Sequence, residues 1–180
     1  MKYLLAVIVV GVGGWFYLID GSKLDEGMVR DYYEQQLRHT YERDPDALCA
    51  LLGRSLSARL EARVGGKVST ASYGKAEACL RLKSAFKFFE TMGERAGGTL
   101  TIEYTYEISS LELAANRKSA RVEVATTLKM GEEFMQIFTD STDRLERSLR
   151  KVQLVEQDAK SRMRWTPGAI SHPEQYFEEQ

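Results

Sequence analysis

The sequence predicts an α+β domain, three N-terminal helices packed on a curved antiparallel sheet of about four strands, preceded by one transmembrane helix. Three observations predict it. Residues 3–19 carry no charge, apolar residues recur at helical spacing from about Leu24 to Arg95, and beyond Gly97-Gly98 they alternate with polar ones. The chain divides into an anchor over 1–20, an exported domain over 21–166 and a mobile acidic tail over 167–180, where Pro173 is joined by Glu174, Glu178 and Glu179.

The 17 residues from Tyr3 to Ile19 make a helix about 26 Å long, enough for the hydrocarbon layer of a membrane. A cleaved secretory signal is the competing reading, and Lys2 before an apolar run suits one. The run exceeds the usual apolar core of a signal, and its exit, Trp15-Phe16-Tyr17-Leu18-Ile19, offers no small-x-small cleavage site. An uncleaved signal anchor with interfacial aromatics fits better. Lys2 precedes the span, while Asp20, Asp25 and Glu26 outnumber Lys23 after it, which places the N-terminus in the cytoplasm. The expected location is the inner (plasma) membrane, single-pass, with the C-terminal domain periplasmic or extracellular.

Charge excludes some partners. The whole chain has a formal net charge of −1, and residues 1–20 hold one Lys and one Asp, so the domain stays nearly neutral. No nucleic acid and no polybasic lipid-binding surface is expected from such a balance.

The elements follow in order. From about Leu24 to Arg43, Val29, Tyr33, Leu37 and Tyr41 recur every four residues beside Tyr32, one buried helical stripe. Asp44-Pro45-Asp46 supplies a cap, a proline for the first helical position and a first-turn carboxylate. A second helix is expected from there to Gly65-Gly66, with Leu48, Leu52, Leu56 and Leu60 on its apolar face. The third runs from about Ser72 to Arg95, with Ala78, Leu82, Ala85, Phe89 and Met92 inward.

Leu100, Ile102, Tyr104, Tyr106 and Ile108 then alternate with polar residues, a period that marks a half-buried strand. At Ser109-Ser110 the apolar parity flips to Leu111 and Leu113, the sign of a bulge. Asn116-Arg117-Lys118 turns the chain into a strand with Val122, Val124 and Leu128 inward, and Met130-Gly131 turns it into Phe134 to Phe138. Residues 141–150 fit either a strand or a short helix, and strand is favoured. The end reads as a hairpin: Val152 to Val155, a turn near Asp158-Ala159-Lys160, then Ser161 to Trp165.

This order of elements, ending in Val-Gln-Leu-Val-Glu-Gln-Asp-Ala-Lys-Ser-Arg-Met-Arg-Trp, resembles the cystatin-like superfamily that includes nuclear transport factor 2-like and SnoaL-like domains. The resemblance covers about Leu24 to Trp165. It implies a cone-shaped domain whose sheet wraps a long helix, the cone serving in some members as an active-site pocket and in others as a dimer or assembly surface.

Cys49 on the second helix and Cys79 on the third both face the core between adjacent helices. In an exported domain a bridge closing about 30 residues adds roughly 3–4 kcal/mol; in a cytosolic one they are two small apolar thiols. They do not make a zinc site, and no metal or cofactor is expected. His39 lies off the apolar stripe of its helix and His172 in the tail, and no nucleophile or phosphate-loop motif is present, so no catalytic residue is assigned and the protein is expected not to be an enzyme. Tyr32, Tyr33, Tyr104 and Tyr106 are candidates for a pocket lining, against the alternative of amphipathic core edges. Arg144, Arg147 and Arg150 form a candidate row for an acidic protein partner.

Three functions fit these features. One is a membrane-anchored envelope protein whose exported domain is an interaction or assembly module, self-association included, with the membrane reached through residues 3–19. Another is an immunity or inhibitor protein blocking a toxin in the same compartment. The last is a binder of a small lipophilic ligand or an isomerase-like enzyme. The tether and the missing acid/base constellation favour the first.

Overall fold

The computed structural model describes residues 23–95, 101–131, 135–148 and 151–165. The predicted anchor over 1–20, the tail over 167–180, Phe134, Leu149 and Arg150 lie outside them. Among the described residues no helix is long and apolar enough to cross a membrane.

Helix α1 (Glu26–Tyr41) begins where Asp25 Oδ1 accepts from Met28 N at 2.9 Å, and it buries Val29, Tyr32 and Tyr33. Helix α2 (Pro45–Ala50) opens as expected on Asp44, whose Oδ1 accepts from Ala47 N at 2.9 Å, with proline in the first turn. It is only 6 residues long. The expected second helix fails beyond it: the chain becomes strand β1 (Leu52–Val64), turns at Gly65-Gly66 and returns as β2 (Lys67–Tyr73). Spacing by four satisfies both a helix face and a strand face, so Leu52, Leu56 and Leu60 do not discriminate. Ala58, Ala62 and Val64, alternating with Arg59, Glu61 and Arg63, do. Both glycines take positive φ, 54° and 85°, as a two-residue hairpin turn requires. Helix α3 (Lys75–Arg95) therefore starts at Lys75, after a strand that ends at Tyr73.

Strands β3 (Ile102–Leu113), β4 (Ser119–Met130), β5 (Met135–Ser148) and β6 (Lys151–Trp165) pair antiparallel in succession. The bulge lies where the parity flip put it: Ile108 faces Val124 and Ser110 faces Glu123, leaving Ser109 extra, its hydroxyl donating to Glu123 O at 3.2 Å. The expected final hairpin is absent, because β6 runs unbroken through Asp158-Ala159-Lys160 and Ala159 is buried. Earlier in the strand, β6 carries a second bulge. Arg144 faces Glu156 and Leu145 faces Leu154, so Val155 is the extra residue.

The sheet thus has six strands rather than about four, in the order β2-β1-β6-β5-β4-β3. It is mixed, since β1 runs parallel to β6. Among the described residues two long helices and one short one stand where three were expected. The core splits into two clusters: α1, the start of β1 and the middle strands around Tyr33, Val122 and Leu145, and a smaller group of Phe89 with Met130 and Met135.

Candidate functional site

Asp143 is the one buried charged side chain among the described residues. Odd-numbered residues of β5 point inward, which sets Asp143 between Val122 of β4 and Gln157 of β6 as direct cross-strand partners. Gln157 Nε2 donates to its Oδ1 at 3.0 Å and Tyr33 Oη donates to its Oδ2 at 2.9 Å. Burial pushes its carboxyl above the ordinary value, and the donors Gln157, Tyr33 and Ser141 pull it part of the way back. Burial, reinforced by the Asp143 charge, likewise raises the Tyr32 and Tyr33 hydroxyls.

The predicted tyrosines come together around this acid. The Tyr33 ring stacks on Tyr106 with centroids 5.5 Å apart and meets Tyr32 edge-on at 5.2 Å. Tyr104 is buried on β3, its backbone held by Tyr41, whose hydroxyl donates to Tyr104 O at 3.1 Å and accepts from Tyr104 N at 3.2 Å. Tyr33 is 1% exposed and Tyr32 3%. With both carboxylate oxygens of Asp143 taken by protein donors and Tyr32 and Tyr33 buried, this is a packed unit whose polar groups are satisfied within the protein. Farther along the inner face Tyr106, Thr126, Thr139 and Ser161 are successive cross-strand partners, and Thr139 Oγ1 donates to Ser161 Oγ at 3.1 Å.

The opposite face of the sheet is open. A cavity of about 560 Å³ lies over the three strands β4, β5 and β6, lined among others by Arg121, Glu123, Asp140, Arg144, Asp158 and Lys160. Arg121 stands directly opposite Arg144, an unfavourable like-charge pairing. Arg144 relieves it by turning to Glu156 at 2.9 Å and to Glu146. Arg121, Glu123, Asp158 and Lys160 make no ion pair with another described residue, so both signs of charge stay available for an external partner.

Two members of the candidate arginine row, Arg144 and Arg147, engage different parts of the domain. Arg144 belongs to the outer cavity, whereas Arg147 Nη1 donates to Lys23 O and lies 3.0 Å from Met28 Sδ, tying β5 to the start of α1. Arg150 lies outside the described residues. The cysteines are joined: Cys49 of α2 and Cys79 of α3 form a disulfide, Cα atoms 5.3 Å apart. His39 Nδ1 pairs with Glu42 Oε2 at 3.0 Å, and no cluster of metal-ligating side chains occurs among the described residues. Sequence reasoning did not single out Asp143. Its odd parity with Ile137 and Leu145 was the available signal.

No protein-family model matches the sequence, and no curated protein matches it at a significant level. Solved structures do. A conserved protein from Planctomyces limnophilus superposes with a TM-score of 0.56 at 15% identity over 76% of this chain and 95% of that one. An NTF2-like protein of unknown function from Pseudomonas putida gives 0.54 at 14% identity, covering 75% and 84%. A domain of unknown function with a cystatin-like fold from Nostoc punctiforme gives 0.50 at 11% identity over 85% and 82%. Likeness at such identity speaks for architecture alone, and what it establishes is an α+β fold of the NTF2-like, cystatin-like kind with a curved sheet.

Proposed function

We propose that this chain is a non-enzymatic, membrane-anchored interaction module of the cell envelope, whose charged outer sheet face takes a protein partner. The observation that carries this reading is the contrast between the two faces of the sheet: the acid on the inner face is sealed by Tyr33 and Gln157, while the outer cavity keeps unpaired charges of both signs in the open. Mixed, exposed charge sets orientation and partner choice rather than chemistry. The Cys49–Cys79 bridge supports an exported domain, since such bonds persist outside the reducing cytosol. An assembly role is preferred to an immunity role because Arg121 and Glu123 on β4 and Asp158 and Lys160 on β6 balance in sign, which suits a mixed surface better than a single strongly charged toxin.

Site-specific photo-crosslinking from Thr142, on the cavity floor between Glu123 and Asp158, tests it in the full-length protein in its native membrane. A discrete adduct with one envelope protein or a second copy, lost in Arg121→Glu/Lys160→Glu, is expected. No adduct, or one indifferent to the charge reversal, overturns the reading.

A second reading draws on Asp143 and the hydroxyl row Thr126, Thr139 and Ser161 of the inner face: an isomerase-like or small-ligand site that opens when α1 moves. Protection of Thr139 and Ser161 backbone amides from hydrogen exchange by an added lipophile favours it; unchanged exchange removes it.

A further inference from the structure

We propose that the end of the domain from which the N-terminal segment emerges is a basic face that rests on anionic lipid headgroups. The inference rests on the membrane-anchored reading above and adds what the domain does against the bilayer.

Three pieces of chain distant in sequence meet at that end. Leu24 N donates to Arg117 O at 2.5 Å, Arg147 N donates to Lys118 O at 3.0 Å, and Arg147 Nη1 donates to Lys23 O. Lys151 follows at the first position of β6, opposite Ser148. Lys23, Arg117, Lys118 and Lys151 are all exposed. The turn that carries two of them is held rigid: Arg117 sits at φ 54°, its N donates to Ala114 O at 2.8 Å, and Asn116 Oδ1 accepts from Lys118 N at 3.0 Å. Fixed projection of two adjacent cations lowers the cost of ordering them on a surface.

The acids at the same end are fewer and two of them are engaged. Asp25 caps α1 through Met28 N, Glu146 pairs with Arg144, and Glu26 remains in the first turn of α1. Among the described residues five basic side chains, Lys23, Arg117, Lys118, Arg147 and Lys151, thus stand against three acids, with Asp20 a fourth acid on the tether, in a chain whose overall balance is close to neutral. The total conceals the polarity. Folding gathers cations that the sequence scatters over 129 positions from Lys23 to Lys151.

Reach decides the partner. Three residues, Asp20, Gly21 and Ser22, lie between Ile19, the last apolar residue of the anchor, and Lys23, so these four chain steps span at most about 14 Å. A face tethered that closely lies within the range over which anionic headgroups attract basic side chains. A soluble acidic protein has to enter that gap; headgroups already fill it.

The test uses the full-length chain reconstituted in vesicles of pure phosphatidylcholine and in vesicles with about 30 mol % phosphatidylglycerol. Amine acetylation read by mass spectrometry should slow at Lys118 and Lys151 by about threefold or more in the anionic vesicles, and recover at about 0.5 M salt. Lys67 is the internal control: it pairs with Val64, which pairs with Met163, about 40 Å along β6 from Lys151 at strand spacing. The variant Arg117→Glu/Lys118→Glu should lose the contrast at Lys151. Equal acetylation in both vesicles, or an equal slowing at Lys67, overturns the proposal. Flotation with the phosphatidylcholine vesicles reports the anchor separately: protein that floats without the lysine contrast sinks the basic face alone, and protein that does not float sinks the tether and the face with it.

Discussion

The hydroxyl of Tyr33 donates to Asp143 Oδ2 at 2.9 Å across 110 residues of sequence, joining α1 to the centre of the sheet. Each group is buried, so each is expensive to leave without the other. Removing the hydroxyl in Tyr33→Phe should lower unfolding free energy by about 1.5–3 kcal/mol. Asp143→Ala should cost at least as much, because Gln157 Nε2 loses its acceptor too. In urea titrations the double variant should fall short of the summed costs by about 1 kcal/mol or more. Additive losses would show that the bond contributes no net stability.

The raised pKa of Asp143 has a sign in stability. Where the folded protein retains this proton and the unfolded chain, near pH 4, has released it, the folded state binds more protons, and stability from this group falls as pH rises. It is fullest below the unfolded value and is lost through the folded one. Asp143→Asn abolishes the titration and keeps a donor–acceptor amide in place. The wild-type-minus-variant difference in unfolding free energy should therefore decline from pH 4 upward and then level. A difference that grows over the same window would mean that the hydrogen bonds outweigh burial.

The Cys49–Cys79 bond closes a separation of 30 residues and holds α2 against α3, where Lys83 also pairs with Asp46 at 2.8 Å. The exposed ion pair adds little by comparison. Cys49→Ser/Cys79→Ser should be less stable by about 3–4 kcal/mol, read as a shifted urea midpoint. Denatured, unreduced protein should show no reactive thiol; two would refute the bridge.

Gly53 passes under the bulge of β6. A Cβ there would lie 2.8 Å from Val155 Cγ1 and 3.1 Å from Leu154 O. Gly53→Ala should destabilise by about 1–3 kcal/mol, and Val155→Ala in that background should recover part of the loss in thermal unfolding. A neutral Gly53→Ala would place β1 farther from β6 than the register of these strands requires.

How much was legible turns on which residues carry an unambiguous period. Val29 and Tyr33 on α1, the cap at Asp44-Pro45 and the alternation from Ile102 to Ile108 each identify their element, and the parity flip at Ser109-Ser110 locates its bulge. Leu52, Leu56 and Leu60 misled because a step of four residues is one helical turn and also two strand repeats. The turn expected near Asp158-Ala159-Lys160 misled for a different reason, since the polar residues there are the solvent-facing positions of a continuing strand. Pairing with β5 on one side and β1 on the other keeps β6 straight through them.

The sequence by itself determined the α+β class, the first helix, the strands β3 and β4, the two cysteines on facing helices and the uncharged N-terminal run, because each is written in neighbouring residues. Only the tertiary structure decided the rest. Pairing of β1 with β6 joins residues about a hundred positions apart, the inward facing of Asp143 depends on a register set across three strands, and Lys23, Arg117 and Lys151 become one face only when turns meet. Local periodicity constrains a side chain's direction within its own element. What that direction points at is set by contacts whose partners lie far along the chain.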